Sequence, residues 1–151
     1  MKKVLIILVV GVGLTFGGCA GMSSRHISSP AKPGANFTLA KSLLEQVFSG
    51  YKNYTREEFE KLLSLDFVPL RPEFLNAVKD SYYAGTILEI DFFIDQVLAK
   101  ADNLSVTFKW EKKTVPHDTP VATLSRGKAE FLFKNKNNQW LLYGVKGNIP
   151  F

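Results

Sequence analysis

Between residues 36 and 84 apolar side chains recur every three or four positions, and from residue 86 onward they recur every second one. The first spacing is that of one helix face and the second that of a half-buried strand. In NFTLAKSLLEQVFSG, residues 36–50, Leu39, Leu43, Leu44, Val47 and Phe48 fall on one face. Asn36 has the chemistry of a helix cap and Gly50 suits the exit. In YTREEFEKLLSL, residues 54–65, Thr55 and Glu58 have the spacing of a capping box, Tyr54 and Phe59 sit at the staple positions, and Leu62 and Leu63 extend the apolar stripe. Pro69 is a break. Pro72 suits the first turn of a third helix, whose face carries Leu75, Val78 and Tyr82 and which Gly85 ends.

The alternating half begins with Leu88, Ile90, Phe92 and Ile94 facing inward against Glu89, Asp91 and Asp95, interrupted at Phe93. A helical spacing through Ile87, Ile90, Ile94 and Val97 competes, but the β-branched and aromatic content favours a strand. Leu104, Val106, Phe108 and Trp110 alternate with Ser105, Thr107, Lys109 and Glu111 in a second strand. KKTVPHDTP, residues 112–120, reads as a long hairpin tip in which Pro116 and Pro120 stay out of the ladder. A third strand spans 121–134 with Ala129, Phe131 and Phe133 inward, NKNN is a turn, and a fourth strand spans 139–146. Helices followed by a strand meander predict an α+β fold: N-terminal helices packed on a strongly curved antiparallel sheet of about four strands, cone-like.

Composition adds that the chain, 46% hydrophobic with twelve Phe, is globular and rich in aromatic core material. The formal charge of +5 is concentrated near the start, because Lys2, Lys3, Arg25 and Lys32 precede residue 37 and the remainder is nearly neutral. Residues 103–151 are basic and residues 37–102 acidic, a difference that a solvated surface explains. No basic run is interleaved with stacking aromatics, so nucleic acid is not an expected partner.

The first residues follow a third pattern. Lys2 and Lys3 precede an uncharged apolar run over residues 4–16, too short to span a bilayer and followed by small residues. The sequence Phe16-Gly17-Gly18-Cys19 resembles the lipobox of bacterial lipoproteins, with Phe16 where that family usually has an aliphatic residue. The resemblance implies cleavage between Gly18 and Cys19, acylation of Cys19, and, since Ala20 rather than Asp follows, an outer-membrane position facing the periplasm. It divides the chain into a signal peptide (1–18), a lipidated cysteine and flexible tether (19–36) and a single domain (37–151). A cut after Ala20, in the small-x-small frame Gly18-Cys19-Ala20, is the competing reading and would release a soluble protein. Cys19 is the sole cysteine, so the domain has no disulfide.

Three helices, long strands and the ending NNQWLLYGVKGNIPF resemble the nuclear transport factor 2-like superfamily, in which a pocket lies between helices and sheet. Another small envelope-lipoprotein fold, two helices on a sheet, is the alternative. The superfamily includes isomerases and cyclases as well as binding modules, so the resemblance does not choose a function. Its enzymes carry an Asp or His inside the pocket. Here the inward positions of the first two strands, through Trp110, are apolar.

Candidate chemistry is correspondingly thin. Asp91 and Asp95 could form a carboxylate pair, although alternation already explains them as a solvated face. His117-Asp118 could be a base and its orienter, although it sits at a hairpin tip. Tyr82, Tyr83, Phe92, Phe108 and Trp110 could line an apolar pocket, or be plain core. No metal-ligand spacing or phosphate loop is present and no cofactor is expected. The sequence therefore predicts a lipid-anchored envelope protein with a non-catalytic binding or scaffolding domain, its partner an envelope protein or an apolar small ligand. The alternative is a small isomerase- or cyclase-type enzyme.

Overall fold

In a computed structural model of the chain, residues 34–151 except Pro69 are described. The signal peptide, Gly18, Cys19 and nearly all of the tether lie outside them. Three helices come first: α1 (Ala35–Lys52), α2 (Arg56–Glu60) and α3 (Arg71–Tyr83). The strands are β1 (Leu63–Val68), β2 (Gly85–Lys100), β3 (Asn103–Pro116), β4 (Thr123–Lys136) and β5 (Gln139–Gly147). They form one curved open sheet in the order β1-β5-β4-β3-β2, with the helices against its inner face. The α+β architecture is as expected. The sheet has five strands rather than four, and β1 runs parallel to β5 while the other pairs are antiparallel.

Helix α1 buries Leu43, Leu44, Val47 and Phe48 of its predicted stripe, leaves Leu39 half-buried, and buries Ala40 and Tyr51 as well. Its limits differ from those expected. It starts two residues before Phe37 with Gly34 at the cap position, so Asn36 is inside it, and it runs through Gly50 to end at Lys52, with Asn53 at the C-terminal cap position. Gly50 is a packing position: a Cβ there would lie 2.8 Å from Leu62. Thr55 does occupy the cap position of α2, but its side chain makes no capping bond. That helix is one turn long because Leu63, expected on its stripe, is already in β1. Gly85 does not terminate α3 but opens β2, tight against Pro116. Pro116 itself is paired in the ladder, at the very end of β3.

Strands β3 and β4 carry the core. Leu104, Val106, Phe108 and Trp110 pair with Phe133, Phe131, Ala129 and Gly127 across the ladder, and all except the glycine are buried. Phe48 of α1 meets Phe108 and Phe131 with ring centroids 5.8 and 6.2 Å apart, which docks the helix on the sheet. Strand β2 departs from simple alternation. Leu88 and Asp95 are bulge residues with no ladder partner, so its inward set is Ile87, Ile90, Phe92, Ile94 and Val97. Leu88, expected inward, is 48% exposed. The competing helical reading is overturned, and its origin is plain. Each bulge adds one residue between inward positions, which imitates a helical spacing.

The edge strand β1 is fixed by polar contacts as well as by buried Leu63 and Phe67. Ser64 donates to the Asp66 carboxylate, and Lys134 of β4 reaches the same carboxylate at 3.1 Å across β5. These two partners, Ser64 foremost, hold Asp66 down to about 2 from 3.8. A carboxylate whose folded value lies below its unfolded one contributes stability above the unfolded value and loses it as pH falls through the folded one. The difference in urea midpoint between wild type and Asp66→Asn is therefore expected to be constant above about pH 4 and to shrink between about pH 4 and pH 2. A difference undiminished at the acid end contradicts this account of the edge.

Candidate functional site

The residues singled out from sequence do not form one pocket. Tyr82 and Tyr83, at the end of α3, border a shallow depression of about 180 Å³ with Lys52, Thr86, Ile87 and His117. Tyr83 is 62% exposed, while Tyr82 packs on Tyr54 at 5.5 Å. His117 is in the exposed turn after β3, where its backbone N–H donates to Ala84 at 3.4 Å. Asp91, Phe92 and Trp110 border a different feature, a groove of about 390 Å³ on the sheet that also involves Phe93, Lys109, Glu111, Arg126 and Gly127. Phe108 is in neither; it is fully buried against Phe48, Phe92 and Phe131.

Asp91 and Asp95 also have different surroundings. Asp95, displaced by the second bulge, lies 3.0 Å from Lys128 and 3.6 Å from Lys109. The hydrogen bond from Lys128 is the main cause that keeps its carboxyl below the usual range. Two lysines favour the ionised form, which suits an ion-pair anchor and opposes a role as proton donor. Asp91 faces Glu111 across the ladder on the outer side and is exposed. Among the described residues no three His, Cys, Asp or Glu side chains gather into a metal-holding group, and no helix is long and apolar enough to cross a membrane.

A polar cluster that sequence reasoning missed lies on the inner side of the sheet. Lys112 is the next inward position after Trp110 on β3. Its ammonium donates to the carbonyl of Pro150 at 2.5 Å, to Ser81 Oγ of α3 at 3.0 Å and to the Tyr51 hydroxyl of α1 at 3.2 Å. Tyr51 and Ser81 share a further bond of 2.7 Å, and the Lys112 Nζ stands 5.4 Å from the centre of the Tyr51 ring. Three donors thus meet three neutral acceptors. Burial pushes the Lys112 amine below the ordinary lysine value. It pushes the Tyr51 phenol up, with the Ser81 bond acting against it. The signal was present, since the period of two that places Trp110 inward also places Lys112 inward. Its charge and the neighbouring KKT run made it read as hairpin tip.

The chain's last residues close this cluster. Gly147 turns at φ 82°, in the left-handed region where glycine carries no Cβ penalty. Asn148 then donates its N–H to the Lys128 carbonyl at 3.0 Å and accepts from Trp110 Nε1 at 2.6 Å. Pro150 is fully buried. The ring of Phe151 lies 4.7 Å from Tyr51, 5.7 Å from Phe74, 6.1 Å from both Phe59 and Phe131, and 6.4 Å from Phe48. All three helices and β4 therefore converge on one side chain of the tail. The inward groups of this arrangement are aromatic rings, two hydroxyls and one ammonium.

No family model matches the sequence, and no curated protein matches it. The fold does match solved structures. A conserved protein from Planctomyces limnophilus superposes with a TM-score of 0.61 at 18% identity, over 74% of this chain and 97% of that one. A ketosteroid isomerase-like protein from Erwinia carotovora atroseptica gives 0.60 at 14% identity, over 78% and 100%. A nuclear transport factor 2-like superfamily protein from Salmonella enterica serovar Typhimurium gives 0.59 at 11% identity, over 76% and 92%. At these identities the likeness concerns architecture alone, and on that evidence the described domain has the nuclear transport factor 2-like fold.

Proposed function

We propose that this protein is an exported lipoprotein, anchored through acylated Cys19 to the outer membrane and facing the periplasm, whose domain is a binding module rather than a catalyst. The observation that carries the second half is the chemistry of the inner face. Its core positions on β2, β3 and β4 are aliphatic or aromatic, and its ammonium, Lys112, is spent on two hydroxyls and the chain's own Pro150 carbonyl. An isomerase or cyclase needs an acid or base at the reacting atom. Asp91, Asp95 and His117, the candidates for that role, are respectively on the outer side of the sheet, tied to two lysines, and in an exposed turn.

The first half rests on the signal: the positive start, the apolar run of residues 4–16, and the sole cysteine after two glycines. Two or three acyl chains give durable attachment where one gives only marginal binding. The tether then carries the domain off the bilayer. Cells fed a clickable fatty acid are expected to label the wild-type protein and leave Cys19→Ser unlabelled and out of the membrane fraction. Equal labelling of the two, or a mature N-terminus at Gly21, would refute the anchor.

A further inference from the structure

We infer that residues 148–151 are a displaceable plug in a ligand site, and that the ligand is an amphipathic monocarboxylate whose apolar body replaces the Phe151 ring and whose carboxylate replaces the Pro150 carbonyl at Lys112. The inference rests on reading the domain as a binding module and names what it binds.

Three observations carry it. The space filled by Phe151 is built by residues far apart in sequence, Phe48, Tyr51, Phe59, Phe74 and Phe131, with rings 4.7 to 6.4 Å away. An aromatic-walled recess with a few convergent polar groups is the usual form of a small-molecule site. Second, the backbone of the tail that fills it has few bonds to the rest of the domain. Beyond Gly147 it belongs to no strand, and the bonds that retain its backbone are the three at Asn148 and Pro150. Phe151 itself stays partly exposed, which leaves an edge open to solvent.

Third, Lys112 has the wrong kind of partner for a partly buried cation. Among the described residues no carboxylate pairs with it. It is satisfied by neutral oxygens and a ring face, whereas a charge withdrawn from water is best matched by an opposite charge. A carboxylate arriving at the Pro150 position would turn a hydrogen bond in which only the donor is charged into a salt bridge and keep the bonds to Tyr51 and Ser81. Head and body sites are close, since both the Lys112 ammonium and the Phe151 ring lie within 5.4 Å of the Tyr51 ring centre. A phenyl ring and a carboxylate separated by two methylenes span such a gap.

The probe is 3-phenylpropionate, with the neutral 3-phenylpropan-1-ol as its control, titrated into the full chain in detergent. The readout is the indole N–H resonance of Trp110, distinguished from Trp140 by a Trp140→Phe variant. Because Trp110 donates to Asn148, its signal must move when the tail leaves. The wild type is expected to bind the acid with a Trp110 shift. Phe151→Ala is expected to bind it about tenfold tighter or more, because a competing occupant lowers apparent affinity by the fraction of open sites. Lys112→Met is expected to erase the preference for acid over alcohol. Absence of a Trp110 shift in the wild type, or equal binding of acid and alcohol, overturns the inference. Should Phe151→Ala fail to fold, the wild-type titration and the milder Phe151→Leu decide. Acyl labelling through Cys19 is a separate readout, so loss of the anchor proposal and loss of this one are distinguishable.

Discussion

Phe131→Ala is expected to destabilise the domain by about 3–5 kcal/mol, the range for removing a fully buried aromatic side chain. Phe131 has no exposed surface and stands at the junction of sheet, helix and tail. Its ring lies 4.8 Å from Phe108, 6.2 Å from Phe48, 6.1 Å from Phe151 and 6.4 Å from Phe133. Alanine would leave a cavity bounded by aromatic rings, which are too rigid to collapse into it, so the upper part of the range applies. A domain without disulfides has a total stability on the order of 5–15 kcal/mol to draw on, and the melting temperature should fall by roughly 12–20 °C. Phe93→Ala is the internal comparison. That phenylalanine is on the outer side of β2, 69% exposed, and its loss should stay within about 0.5 kcal/mol. Chemical denaturation followed by tryptophan fluorescence separates the two variants. Similar midpoints would mean that the inner face is not the core.

How far such positions can be read from sequence depends on how local their causes are. Phe131 and Phe108 were legible because β3 and β4 each bury one face, so the alternation is clean. Strand β2 was half legible: Ile90, Phe92 and Ile94 face inward as expected, but the bulges at Leu88 and Asp95 arise from pairing with β3 and have no signature of their own. Strand β1 was missed because its partner, β5, is distant in the chain. Locally, Thr55 and Glu58 argue for a helix, and Leu63 fits its stripe as well as it fits a strand. The polar cluster was missed for a related reason. Tyr51, Ser81 and Lys112 come from three elements, and none of them stands in a motif. The role of the tail is further still from the sequence pattern, since nothing in GNIPF says that its ring ends among five others.

Gly127→Val tests the joint between sheet and tail, and simple propensity predicts the opposite sign. Valine is the better strand former, by up to about 1 kcal/mol, so at an unconstrained position the substitution would stabilise. Gly127 is constrained. It faces Trp110 directly across the ladder, and a Cβ there would lie 2.7–2.8 Å from Cε2, Cζ2 and Nε1 of the indole. The obstacle is a buried ring, not the free end of a flexible chain, and overpacking of this kind costs about 1–3 kcal/mol. Moving the indole also breaks its 2.6 Å bond to the Asn148 carbonyl. A buried donor left without a partner adds a penalty on the order of 1–3 kcal/mol. Steric and polar costs together exceed the propensity gain, and a net loss of about 2–4 kcal/mol is expected. The cause can be isolated with Trp110→Phe, which clears the space but forfeits the hydrogen bond. In that background Gly127→Val should cost much less, giving a coupling energy of at least about 1 kcal/mol between two residues in contact. Additive effects would place the strain somewhere other than between Gly127 and Trp110.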